Sequence, residues 1–167
     1  LQLLDNFIKE LENALYAGML SSYAQGYDLI STAAEEEGWK INLSEISRIW
    51  EGGCIIRADI LNFLHKAYSN TPSRDALQCV STKHLFEINK IKDDLKKSIP
   101  DLRKIVSFCA ENSVPTPSLS TALSYFDSMT RENLPANFIQ GLRDYFGAHT
   151  YERIDRDGSF HCEWILG

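Results

Sequence analysis

LDNFIKELENALYAGMLSSYAQGYDLISTAAEEEG, residues 4–38, decides the fold. Leu4, Phe7, Ile8, Leu11, Leu15, Met19, Ser22, Tyr23, Gly26, Ile30 and Ala33 recur in three- and four-residue steps, the spacing of one face of an α-helix. The run predicts one very long helix, or two nearly continuous ones, ending near Gly38. Ala14, Gly18, Ser22 and Gly26 return every fourth residue, a row of small side chains that another helix can approach closely. Core packing is the expected duty of at least two of Tyr16, Tyr23 and Tyr27. Glu35, Glu36 and Glu37 are a solvated charge run whose sign opposes the dipole at a helix end.

Downstream the helical period keeps returning. Asn42 or Ser44 can cap a second helix with a buried stripe of Leu43, Ile46, Ile49 and Trp50, and Gly52-Gly53 predicts a sharp break after it. CIIRADILNFLHKAY, residues 54–68, is expected to bury Ile55, Ile56, Ile60, Leu61, Leu64 and Tyr68, with Arg57, Asp59 and Lys66 at its margins. The double glycine lacks the spacing, the Lys-Ser or Lys-Thr pair and the preceding strand of a phosphate loop. NTPS, residues 70–73, reads as a turn, with Ser73 capping a short helix around Ala76, Leu77 and Val80. In IKDDLKKSIPDLRKIVSFCAEN, residues 91–112, Pro100 is expected to bend or interrupt a helix whose inward stripe resumes with Leu102, Ile105, Val106, Cys109 and Ala110. Asp93, Asp94 and Asp101 sit among lysines, and a solvent-facing charged helix explains them without metal or acid–base duty. NSVPTP, residues 112–117, is a constrained loop, after which Ser118 or Ser120 can cap a helix through Leu123, Tyr125, Phe126 and Met129. Six to eight helices and no βαβ pattern define an all-α domain with an irregular C-terminal tail.

A chain of 167 residues has length for one sizeable core. Its net charge of −6 argues against nucleic acid, which demands clustered Lys and Arg. No apolar run approaches the roughly 20 residues of a membrane span, and no secretory signal pattern is present, so a cytoplasmic setting is the default. Cys54, Cys79, Cys109 and Cys162 are dispersed, with no metal-type spacing to any histidine; reduced thiols and no metal site are expected. The chain opens directly on a helical pattern without methionine and closes on Trp164, Ile165 and Leu166, which suggests a fragment of a larger protein.

One segment reads as chemistry: LPANFIQGLRDYFGAHTY, residues 134–151. Pro135 suits a first helical position, and Phe138, Ile139, Leu142, Tyr145 and Phe146 share one face. A helix ending at Gly147 places Arg143 in its last turn and His149 in the chain leaving it, two donors able to converge on an anion. The alternative is an Arg143 that only covers apolar surface and a structural histidine. Beyond, Asp157-Gly158 marks a turn between two short strands or a bend in an extended tail, and Phe160, Trp164, Ile165 and Leu166 equip that tail to dock on its own domain or on a partner.

GGCIIRA at 52–58, SVPTPSLSTALSYFDS at 113–128, LPANFIQGLRDYFGAHTYERID at 134–155 and DGSFHCEW at 157–164 closely resemble the C-terminal domain of the 6-phosphogluconate dehydrogenase family, and SSYAQGYDLI at 21–30 fits the same pattern. The resemblance implies residues 1–150 as a helical substrate and dimerisation domain and 151–167 as a tail able to dock on the partner subunit. It implies a cytosolic homodimer that oxidatively decarboxylates 6-phospho-D-gluconate to D-ribulose 5-phosphate with NADP, in the pentose phosphate pathway. The family's general-base lysine and its glutamate acid lie upstream of the matching region, as does the nucleotide domain, so the resemblance places no catalytic and no NADP-binding residue here. Arg143 and His149 match an arginine and a histidine that contact the substrate, bound at a site shared between subunits, and a guanidinium fork suits phosphate oxygens. Leu142 stands where the family usually has glutamine, and Gly141 where alanine is common. A non-catalytic interaction or dimerisation module derived from the same scaffold is the second reading.

Overall fold

The long helix forms as one piece: α1 runs unbroken over Gln2–Glu37 in the computed structural model of the chain, which describes residues 2–69 and 84–164. Gly38, at φ +67°, ends it. There the Trp39 N–H donates to the Ala34 carbonyl at 2.8 Å and the Gly38 N–H to that of Glu35 at 3.4 Å, a paired closure of the last turn that needs a left-handed residue. Buried on α1 are Ala14, Ala17, Gly18, Leu20, Ser21, Tyr23, Ala24, Tyr27 and Ala34. The small-residue row therefore differs from the expected one: Ser22 is exposed, and a Cβ on Gly26 would meet nothing within 4 Å. Steps of four drift by about 40° each around a helix of 3.6 residues per turn, whereas alternating threes and fours hold one face. Gly18 does admit a neighbour closely, since a Cβ there would lie 2.8 Å from Leu119 Cδ2. Leu4, Ile8 and Leu15, expected in the stripe, are exposed.

α2 spans Leu43–Gly53, and Asn42 caps it, its Oδ1 accepting from the Ser44 and Glu45 amides at 2.9 and 3.2 Å. Ser44 is thereby released to bond across to α3, Ile60–Ser69, where its hydroxyl donates to the His65 carbonyl at 2.8 Å. The glycine pair closes α2 from inside, and α3 begins only at Ile60. Ile49 of α2 is exposed instead of buried, and so are Ile55 and Ile56, because residues 54–59 form a turn, with the Arg57 N–H on the Cys54 carbonyl, and not the first turn of a helix.

A 3-10 turn at Leu85–Glu87 precedes α4, which continues over Asn89–Glu111 with Pro100 inside it. The proline does not interrupt the helix. Leu102 and Ile105 are buried, while Ala110 is exposed. Two of the three aspartates also face inward: Asp94 accepts from the Tyr16 hydroxyl at 2.9 Å and Asp101 from Asn13 Nδ2 at 2.6 Å, tying α4 to α1. Lys104 pairs with Glu10 along the same seam. Burial works to raise the Asp94 carboxyl, but hydrogen bonds from Lys90 and Tyr16 outweigh it and hold the group below the usual carboxylate range. α5 covers Pro117–Met129, with proline at its first position, so Ser118 and Ser120 lie within the first turn and not at its cap.

The core gathers Ala17, Leu20 and Ala24 of α1, Leu61 and Leu64 of α3, and Ile91, Leu95, Leu102 and Ile105 of α4. Within it Tyr27 bonds Ser47 at 2.7 Å; since the serine hydroxyl donates to the Leu43 carbonyl, the phenol is the donor, and burial pushes it up to about 12. The chain divides into two compact units, Leu1–Phe126 and Asp127–Gly167. The second holds α6, Ala136–Gly147, and two short antiparallel strands, β1 at Tyr151–Glu152 and β2 at Ser159–Phe160, joined through Gly158 at φ +112°. The turn expected at 70–73, the helix around Ala76, and Cys79, Ile165 and Leu166 lie outside the described residues. Cys54, Cys109 and Cys162 are free thiols. Among the described residues no helix is long and apolar enough to cross a membrane, and no three His, Cys, Asp or Glu side chains gather as metal ligands.

Candidate functional site

α6 presents its apolar residues outward. Phe138 is 78% exposed and Phe146 67%, and Ile139, Leu142 and Tyr145 are likewise exposed. Pro135 stands one residue earlier than a first helical position, at the cap, with φ −72° and ψ 23°. Fully buried in this helix is Asp144, which the hydrophobic period did not single out. The signal available was electrostatic. A carboxylate in the last turn of a helix opposes the dipole, so it needs strong donors from elsewhere.

Those donors come from the chain that follows. Asp144 Oδ1 accepts from the Thr150 amide at 3.1 Å and lies 2.8 Å from His161 Nδ1; Oδ2 accepts from the Cys162 amide at 2.9 Å and from the Trp164 indole N–H at 2.8 Å. Burial alone would raise this carboxyl; the bonds from Cys162, His161 and Trp164 overcome that and pull it down to about 2. Trp164 is set edge-on to Tyr145 at 6.1 Å between centroids, and its indole approaches Gly141 closely enough that an added Cβ would make ordinary contact at 3.8 Å. A cleft of about 550 Å³ runs between Asn137, Phe138, Gly141, Leu142, Tyr145 and Trp164.

Both anticipated residues lie at this helix end. Arg143 is exposed one residue before the last turn and makes no ion pair among the described residues. His149 is exposed two residues past Gly147, its ring 5.7 Å from that of Phe146. A Cβ on Gly147 would sit 2.7 Å from His149 Nε2, so the glycine is what lets the imidazole lie against the helix terminus. His149 is flanked by Ala148 at φ +48° and Thr150 at φ +63°. Left-handed backbone at non-glycine residues costs about 1–3 kcal/mol each, most awkwardly for a β-branched threonine, and persists where surrounding bonds over-determine it. Arg57 is in the other unit, where it helps line a groove with Met19, Tyr23 and Trp50.

The chain matches, over residues 2–164, the family described as 6-phosphogluconate dehydrogenase, C-terminal domain. It is 43% identical over 158 residues to 6-phosphogluconate dehydrogenase, decarboxylating 1, of Oryza sativa subsp. japonica, covering 95% of this chain and 31% of that protein. It is 42% identical over 159 residues to 6-phosphogluconate dehydrogenase, decarboxylating, of Escherichia coli (strain K12), covering 95% and 32%. A solved structure of Plasmodium falciparum 6-phosphogluconate dehydrogenase, described in its apo form and in complex with its cofactor NADP+ and its substrate 6-phosphogluconate, is similar at a TM-score of 0.84 and 45% identity, over 96% of this chain and 33% of that one. The chain thus spans about a third of the length of these relatives.

Proposed function

The chain belongs to the 6-phosphogluconate dehydrogenase family, and from that premise we propose that it is the C-terminal part of an NADP-dependent enzyme that oxidatively decarboxylates 6-phospho-D-gluconate to D-ribulose 5-phosphate. Residues 1–150 act as the substrate and dimerisation domain and 151–167 as the tail that reaches a partner subunit. In the substrate complex the Arg143 guanidinium forks onto phosphate oxygens and the His149 imidazole donates beside it. A phosphate dianion takes several donors at once, and bidentate pairing with Arg is among the stronger charge-assisted contacts. The observation that carries the reading is an exposed Arg143 with no ion pair among the described residues, on the helix whose terminal Gly147 holds the His149 imidazole. NADP and the proton-transferring groups belong to the intact enzyme, with no cofactor held by this chain alone. The setting is cytoplasmic, and a homodimer fits the outward apolar face of α6, which a second copy would cover and which would bring Arg143 and His149 to a site shared between subunits.

Arg143→Ala in the intact protein tests the assignment. Charge-assisted bonds contribute about 1.5–3 kcal/mol, so KM for 6-phosphogluconate should rise about tenfold or more while KM for NADP stays put. Equal effects on both substrates would remove Arg143 from the phosphate site.

A further inference from the structure

We propose that Asp144 is the positioning residue of this site, the group that sets His149, and with it the Arg143 side of the helix end, for a phosphomonoester. The inference deepens the sugar-phosphate reading and rests on it. Both peptide neighbours of His149 are tied to this one residue: the Ala148 N–H donates to the Asp144 carbonyl at 2.9 Å and the Thr150 N–H to Asp144 Oδ1 at 3.1 Å. The two tied residues are also the two with left-handed backbone around His149. Without the Asp144 Oδ1 acceptor the Thr150 N–H loses the bond that offsets its left-handed conformation, and the imidazole would leave the shelf that Gly147 provides.

The remaining carboxylate capacity goes to His161, Cys162 and Trp164, which fold the returning tail over the same residue. This arrangement also answers an electrostatic difficulty. A carboxylate adjacent in sequence to a phosphate-binding arginine would repel the ligand or capture the guanidinium; buried and saturated by four donors, it does neither.

The experiment uses the intact dehydrogenase carrying this chain. In Asp144→Asn the amide keeps one acceptor oxygen and turns an NH2 toward two of the donors, so KM for 6-phosphogluconate should rise about tenfold, with kcat and KM for NADP within about threefold. A merely structural role predicts another pattern: fewer folded molecules lower the apparent kcat and leave KM alone, and that result overturns the proposal. If Asp144→Asn does not fold, His161 decides. His161→Ala removes one donor and should raise KM, whereas His161→Asn keeps an N–H at that place and should restore it; equal KM values for both variants and wild type overturn the proposal. Arg143→Ala, run alongside, separates the two readings. If it raises KM and Asp144→Asn does not, positioning by Asp144 falls and the phosphate site stands; if neither moves KM, both fall.

Discussion

Asp144 converts pH into tail order. Its folded carboxyl titrates at about 2 against an ordinary 3.8, so between those values the unfolded tail binds more protons than the folded one. The stabilising contribution is therefore complete above about pH 4, declines as pH falls, and is lost below about pH 2. The expected outcome is an acid-induced loosening of residues 148–164, followed through the Thr150 and Cys162 amide resonances, that is absent from Asp144→Asn over the same interval. An identical acid response in the variant would show that another group governs it. Sequence singled out Arg143 and His149 because a guanidinium at the border of an apolar face and an imidazole just past a glycine stand out from the apolar period. Asp144 escaped because a period of apolar residues cannot announce a buried charge; what marks it is its unfavourable sign at a helix C-terminus, and its donors lie up to twenty residues downstream.

α4 shows how packing overrides a local rule. Pro100 removes an N–H that the Lys96 carbonyl would otherwise receive, yet Ile99 on one side and Leu102 on the other are buried and hold the helix through it. The proline itself is exposed, so Pro100→Ala leaves no cavity and restores a ladder bond. Stability should rise by about 1–3 kcal/mol, read as a higher urea midpoint with an unchanged slope. No change, or a loss, would mean that the helix is shaped around the proline ring. The same contest explains what sequence left unread along the elements. Period left α1 as one long helix or two nearly continuous ones, and the choice between the 14-18-22-26 row and the 14-17-21-24 face depends on which neighbours arrive, here α4 and α5. The apolar side chains of Ile55 and Ile56 indicate a need for cover, not that this chain supplies it.

Whether these 167 residues make a dehydrogenase by themselves turns on what the reaction demands of a protein. Hydride transfer to NADP calls for a bound dinucleotide, commonly held at the carboxyl edge of a parallel sheet with a helix N-terminus on the pyrophosphate. Among the described residues the sheet is one antiparallel pair of two-residue strands. Oxidation and decarboxylation also call for a base at the reacting hydroxyl, whereas a guanidinium such as that of Arg143 offers donors and no acceptor. The chain alone is therefore expected to give no 6-phosphogluconate-dependent reduction of NADP, measured by absorbance at enzyme concentrations well above those needed for the intact protein, which should turn over readily. Turnover by the isolated chain at enzyme-like rates, about 1 per second or more, would mean that the reacting groups are here and that the division of labour is drawn in the wrong place.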